Sequence, residues 1–207
     1  DDEFSKSKIE ILSYITKLRQ ICLDPSIVMD DYKGGSGKID ALLETVVQSI
    51  DEGHKILVFS QFTSVLSNIS KVFKENEVSH YYLDGSTPIK TRNKLVEDFN
   101  KDDTSVFLIS LKAGGTGLNL TSADIVIHFD PWWNPAIENQ ATDRAHRFGQ
   151  KNVVEVIKLI SKDTIEEKIL LLQEDKKELI ESLMDEKEMD GKKFKRLSED
   201  EILNLLG

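Results

Sequence analysis

The sequence has a single cysteine, Cys22, in 207 residues. No internal disulfide can form, which suits a reducing compartment and leaves the fold to its core. No apolar run approaches the roughly 20 residues that a membrane-spanning helix needs. Four widely spaced histidines and one cysteine offer no metal-ligand cluster. Positive charge is in deficit: 27 Lys and Arg stand against 37 Asp and Glu, a formal net charge of -10. A free-standing, non-specific DNA binder is normally basic, so any nucleic-acid contact must come from a local surface or a partner domain.

Two phosphate-binding fingerprints are also missing. The stretch DDYKGGSGK (30–38) ends like a Walker A loop, but Tyr32 occupies the place of its first glycine and Ile39 follows Lys38 where Ser or Thr is needed. It reads as a flexible turn leading into a helix. AGGTGLN (113–119) has no third glycine at dinucleotide-fold spacing. Nor is there a starting methionine or a signal-like segment, so the chain is expected to be an excised piece of a longer protein.

What is present is alternation. With 39% hydrophobic residues the chain can build a real core. Apolar residues at helical spacing mark helices over 4–23 (Ile9, Leu12, Ile15, Leu18, Ile21, Cys22), about 38–52, and through Val65, Leu66, Ile69, Val72 and Phe73. Another starts at Thr87-Pro88 and is expected to bury Ile89, Val96 and Phe99. Between them lie strand runs: 55–60, a continuous apolar run typical of a parallel strand covered on both faces, then 80–84, the core strands 105–110 and 124–129, and 153–160. The pattern predicts an α/β fold with a mostly parallel sheet and helices on both faces. Asp163 and Glu166 are expected to cap a tail helix over 163–184, and Ser198 and Glu201 a short terminal one.

The informative polar segments each follow a strand: SQFTS (60–64), DGST (84–87), SLKAGGTGLNL (110–120) and DPWWNP (130–135). In a parallel sheet they would gather on the carboxyl edge, where open α/β sheets bind ligands. Glycines 114, 115 and 117 let the backbone turn sharply and bare its N–H groups to an anion, or simply make a tight connection. Ser86 and Thr87 could meet a phosphate or merely cap a helix. Trp132 and Trp133 could stack on a base or sugar, or pack. Beyond them, Asn134-Pro135 starts a helix on which Gln140, Arg144 and Arg147 would share one face, with Ile137, Ala141, Ala145 and Phe148 on a neighbouring stripe. Taken alone, such arginines read as a solvated face paired with Glu138 and Asp143. Together with the other loops they read as a pair of guanidiniums able to grip a polyphosphate.

These blocks, in this order, resemble the second RecA-like lobe of the Swi/Snf family of DNA translocases in helicase superfamily two. The resemblance rests on LRQICLDP, SGKIDALL, ILVFSQF, YLDGST, AGGTGLNL, PWWNP, QATDRAHRFGQ, TIEEKI and LSEDEILNLL, and covers most of the chain. It implies half of a two-lobed motor that hydrolyses ATP and walks on double-stranded DNA. The first lobe of the same polypeptide would hold the Walker lysine and the Asp-Glu box for Mg2+, so this piece alone would lack ATPase activity. Arg144 and Arg147 would be arginine fingers, with Gln140 beside the nucleotide. Gly115 and Gly117 would link the ATP cleft to the DNA track. Gln61, Ser86, Thr87, Lys112 and Trp133 would face DNA, and a DNA-bound protein would be a further partner; Trp132 has no assigned role.

The implied organisation is an N-terminal helix and linker (1–37), the RecA-like lobe (38–161), and a brace helix, charged linker and short terminal helix (162–207). Such a protein would lie with the nucleoid in a bacterial cytoplasm or in a eukaryotic nucleus, with no part in a membrane. The rival readings are a non-enzymatic RecA-like module that docks a protein, favoured by the negative charge and missing Walker loop, and a lobe of an RNA helicase.

Overall fold

The structure is a computed structural model that describes residues 2–114, 117–145 and 153–174. Five strands form its sheet: β1 (Ile56–Ser60), β2 (His80–Leu83), β3 (Val106–Ser110), β4 (Ile125–His128) and β5 (Glu155–Lys158). Their spatial order is β2-β3-β1-β4-β5, and each neighbouring pair is parallel. In register, Val58 of the central strand sits between Leu108 and Ile127. The helices are α1 (Asp2–Leu23), α2 (Gly37–Asp51), α3 (Thr63–Glu75), α4 (Ile89–Lys101), a single turn α5 (Leu111–Gly114) and α6 (Pro135–Thr142). A further helix, α7, is described over 165–174.

The period of two along each strand sorts the core into two layers. Ile56, Val58, Val106, Leu108, Ile125 and Ile127 pack with Leu42 and Val46 of α2 and with Leu66, Ile69 and Phe73 of α3. Leu57, Phe59, Phe107, Ile109 and Val126 face the other way, toward Phe99 of α4, Ala113 of α5 and Ala141 of α6. The inner strands β1, β3 and β4 are buried throughout, which is why their sequences are continuous apolar runs rather than alternating ones. Each such Leu, Ile or Phe contributes roughly 1.5–3 kcal/mol through burial.

Local chemistry sets the helix starts. The Ser36 hydroxyl accepts the Ile39 N–H at 3.2 Å and donates to the Leu23 carbonyl at 2.6 Å. The glycine-rich stretch before α2 is therefore a capped helix start. Asn134 likewise caps α6 by accepting the Ala136 N–H at 3.0 Å, with Pro135 in the first turn.

Several details differ from expectation. Ile89, expected on the buried face of α4, is 76% exposed and is the first residue of that helix. Among the described side chains of α1, Ile15, Arg19 and Leu23, spaced four apart, are buried, and Ile11 and Cys22 are partly buried against the body; Leu12, Leu18 and Ile21 are exposed. The cap of α7 is Thr164, not Asp163. Thr164 Oγ1 accepts the Glu166 N–H at 3.1 Å, while Asp163 takes a left-handed φ of 57°. Glu166 is instead buried as the partner of Lys38, whose Nζ lies 2.7 Å and 2.5 Å from its two oxygens. The turn α5 falls in a segment read as loop. The rest of the tail beyond 174, including the expected cap at Ser198 and Glu201, lies outside the described residues.

Candidate functional site

Because every strand runs the same way, the segments after β1, β2, β3 and β4 emerge on one edge of the sheet. The loops expected to converge do so. Their interior is a buried polar cluster centred on Asp130. Its carboxylate accepts the Ser60 hydroxyl at 2.5 Å, the Gln61 backbone N–H at 3.3 Å and the Gln61 side-chain amide. Arg19 reaches in from α1. Its Nη2 donates to the Pro131 carbonyl at 2.6 Å and lies 3.6 Å from Asp130, while Nη1 donates to Gln61 Oε1 at 3.0 Å. Its guanidinium is sandwiched between the rings of Phe62 and Trp133, 5.4 Å and 4.9 Å from their centroids. Burial pushes the Asp130 carboxyl up and the Arg19 guanidinium down, and each opposes the other's shift.

This cluster engages two residues expected to face DNA. Gln61 spends its amide on Arg19 and Asp130. Trp133 packs under Arg19 with Ile15, Ile165 and Ile169. Both keep part of their surface open at the rim while making these contacts. Trp132, left without a role, packs against the layer that includes Ala141.

The segment after β2 is a locked turn. Asp84 accepts the Ser86 hydroxyl at 2.6 Å and its backbone N–H at 2.9 Å, and the Asp84 N–H donates to Thr87 Oγ1 at 3.2 Å. The Ser86 hydroxyl is the main reason the Asp84 carboxyl is held below its usual range. Neither hydroxyl caps α4, whose cap position is Pro88. Arg92, not anticipated, clamps the turn by donating to the carbonyls of Thr87 at 2.7 Å and Gly85 at 3.0 Å. Ser86 is exposed and Thr87 half-buried at the rim.

After β3, Lys112 is exposed on α5. Gly117 takes φ +60°, a conformation that a side chain would strain although there is open space around it. Gly115 lies outside the described residues. Leu120 then donates its N–H to the Arg144 carbonyl at 3.0 Å, which ties the glycine segment to the arginine segment.

The arginine segment departs from the single helical face expected of it. α6 stops at Thr142, and Arg144 sits in the turn that follows, 3% exposed. Ala141 and Ala145 both enter the core, and Leu120 holds the Arg144 carbonyl, so the backbone cannot carry Arg144 outward in line with Gln140. Gln140 is exposed on α6. Arg147 lies outside the described residues. Arg144 is thus not an outward-pointing guanidinium in this conformation.

α6 is held at both ends. At its end, the Thr142 hydroxyl meets His128 Nε2 at 3.0 Å. In its first turn, the buried Glu138 accepts the Trp132 N–H and the Gln173 amide, each at 2.7 Å, and pairs with Lys158 at 2.5 Å. Arg19, Asp130, Glu138 and Gln173 were all missed as site residues. Arg19 had a legible signal, since a charge inside an apolar register of four, between Ile15 and Leu23, needs a buried partner.

His128 gives a pH test. Stacked 5.8 Å from Phe59, it is lowered from 6.5 to about 4, mainly by burial. The unfolded chain therefore binds this proton first, and stability is lost as the pH falls from 6.5 toward 4. Between pH 7 and pH 5 the wild-type chain is expected to lose on the order of 2 kcal/mol more than His128→Gln in urea denaturation. Parallel pH profiles for the two would remove His128 as the acid-sensitive group.

No described helix is long and apolar enough to cross a membrane. Among the described residues, no group of three or more His, Cys, Asp or Glu could hold a metal ion.

Residues 37–149 match the model of the helicase conserved C-terminal domain. An uncharacterized ATP-dependent helicase of Mycoplasma genitalium is 42% identical over 206 residues, covering 97% of this chain and 19% of its own length. The putative ATP-dependent helicase/translocase YwqA of Bacillus subtilis is 41% identical over 184 residues, or 86% of this chain and 20% of its own. The crystal structure of the C-terminal part of the Fun30 ATPase domain superposes with a TM-score of 0.64 at 44% identity, over 67% of this chain and 45% of that one. The chain spans about a fifth of the length of these two curated relatives.

Proposed function

This chain belongs to the helicase conserved C-terminal domain family, as a second RecA-like lobe of the Swi/Snf type, and on that premise we propose that it is half of an ATP-driven double-stranded DNA motor. In this reading residues 38–161 are the lobe, and 1–37 and 162–207 are its extensions. ATP lies between this lobe and a first lobe of the same polypeptide, which carries the Walker lysine and the acidic box for Mg2+. In this reading the ligands for that ion belong to the first lobe, and this piece alone is expected not to hydrolyse ATP.

The observation that carries the reading is the gathering of four post-strand segments on one edge, with the glycine segment bonded directly to the arginine segment. Movement of one segment is thereby felt by the other. Closure of the cleft brings Arg147 to the γ-phosphate, where a planar, permanently charged guanidinium offsets developing negative charge. Arg144, buried in the turn before it, sets the direction of approach. Gln140 stands beside the nucleotide, and Gly115 and Gly117 let the intervening backbone swing. Lys112, Ser86 and Thr87 face the DNA backbone in this reading, as do Gln61 and Trp133, which their contacts with Arg19 hold in place. An acidic lobe with a small basic contact suits a motor that must release each phosphate it grips.

The experiment is nucleic-acid-stimulated ATP hydrolysis by the full-length protein. Duplex DNA is expected to stimulate it and RNA is not. Lys112→Ala is expected to weaken duplex binding with little sequence dependence and to reduce the slope of log affinity against log salt by about 1. Stimulation by RNA alone would identify an RNA helicase lobe. Absence of any ATP hydrolysis by the full-length protein would leave the non-enzymatic protein-docking module.

A further inference from the structure

The Glu138 cluster joins four separate pieces of the chain. Glu138 lies in the first turn of α6, 2% exposed. One carboxylate oxygen accepts the Trp132 N–H and the Gln173 amide, and the other faces Lys158 of β5. Gln173 comes from α7. Its amide nitrogen also donates to the Trp132 carbonyl, and its oxygen accepts Lys158 Nζ at 3.2 Å. The cluster is closed on itself, so displacing α7 withdraws the donor from Glu138 and from the Trp132 loop together.

Burying a carboxylate is costly, and replacing a buried ion pair by apolar packing of similar volume is often neutral or stabilising. The cluster therefore does little for stability that packing could not do. What packing could not do is fix α6 in rotation and height, because hydrogen bonds are directional and apolar contacts are not. α6 leads straight into the arginine turn, and its far end is pinned by His128 and Leu120.

We propose that Gln173 is a positioning residue: through Glu138 it sets α6, and hence the arginine segment that follows it. This rests on the motor reading above.

The test uses the full-length protein with saturating duplex DNA. Gln173→Met keeps the side-chain length and removes both polar atoms. It is expected to lower kcat by about 10- to 100-fold, as a small misplacement of a reacting group does, while KM for ATP stays within about twofold. In an Arg147→Ala background, single-turnover rates should show almost no further effect of Gln173→Met, because both act through one element. Lys158→Met, which strips the same cluster from β5, should reproduce the kcat loss. Unchanged kcat in both cluster variants, a change confined to KM, or an equal fold-loss in both backgrounds overturns the proposal. If Arg147→Ala itself has wild-type turnover, the motor reading fails instead, and the two failures are told apart.

Discussion

Replacing Arg147 by alanine in the full-length protein is expected to reduce DNA-stimulated ATP hydrolysis by about 10³- to 10⁵-fold, the range that arginine fingers contribute in other phosphoryl-transfer enzymes. Nucleotide affinity should change little if, as proposed above, the β-phosphate and metal ligands belong to the other lobe and this guanidinium acts on charge that develops only in the transition state. The comparison is of kcat with nucleotide Kd in the same preparation. Arg147→Lys should rescue poorly, since an ammonium cannot present a planar fork to phosphate oxygens. A variant that turns over ATP like wild type would take the finger away from this residue. Equal losses in affinity and turnover would make it a ground-state binding group instead.

The second large effect is on stability. Asp130→Ala leaves the Arg19 guanidinium buried without its carboxylate, and Arg19→Met does the converse. Each is expected to cost about 3–5 kcal/mol in equilibrium urea denaturation at neutral pH. The double replacement Arg19→Met with Asp130→Asn should recover much of that loss, because no orphaned charge remains. The two single variants should also differ in their response to acid. The Asp130 carboxyl already lies above its usual range through burial, and without Arg19 it rises further. A raised folded pKa means stability present at low pH and lost as the pH rises through it. Arg19→Met should therefore approach wild type as the pH falls toward 4, whereas Asp130→Ala should not. Single variants within about 0.5 kcal/mol of wild type, the range of an ordinary surface change, would show the pair to be inert.

Much of the architecture was legible because it is written in short-range periodicity. The runs 55–60, 105–110 and 124–129 contain β1, β3 and β4, and their lack of alternation itself announced burial on both faces. From parallel strands the shared edge followed directly. The geometry at that edge was less legible. Gln140 and Arg144 have helical spacing, but spacing cannot reveal that α6 would stop at Thr142 and that the next turn would be drawn inward by Ala145 and tied to Leu120. Ser86 and Thr87 had local partners in Asp84 that could be guessed, but the clamp from Arg92 depends on how α4 leaves the rim. The Glu138 and Gln173 pair is separated by 35 residues and was invisible to any local pattern. Long-range polar pairs depend on the finished topology, so they become readable only after it.

The margins of the sheet have a consequence for the isolated lobe. β5 is its outer strand on one side, only four residues long, with Glu155 and Lys158 exposed at its two ends and Val156 half-open between them. A brief margin with ionised ends is a poor template for a strand from another molecule. The formal charge of -10 adds mutual repulsion. Concentrated solutions should therefore resist fibril growth for as long as both ends of that strand keep their charge.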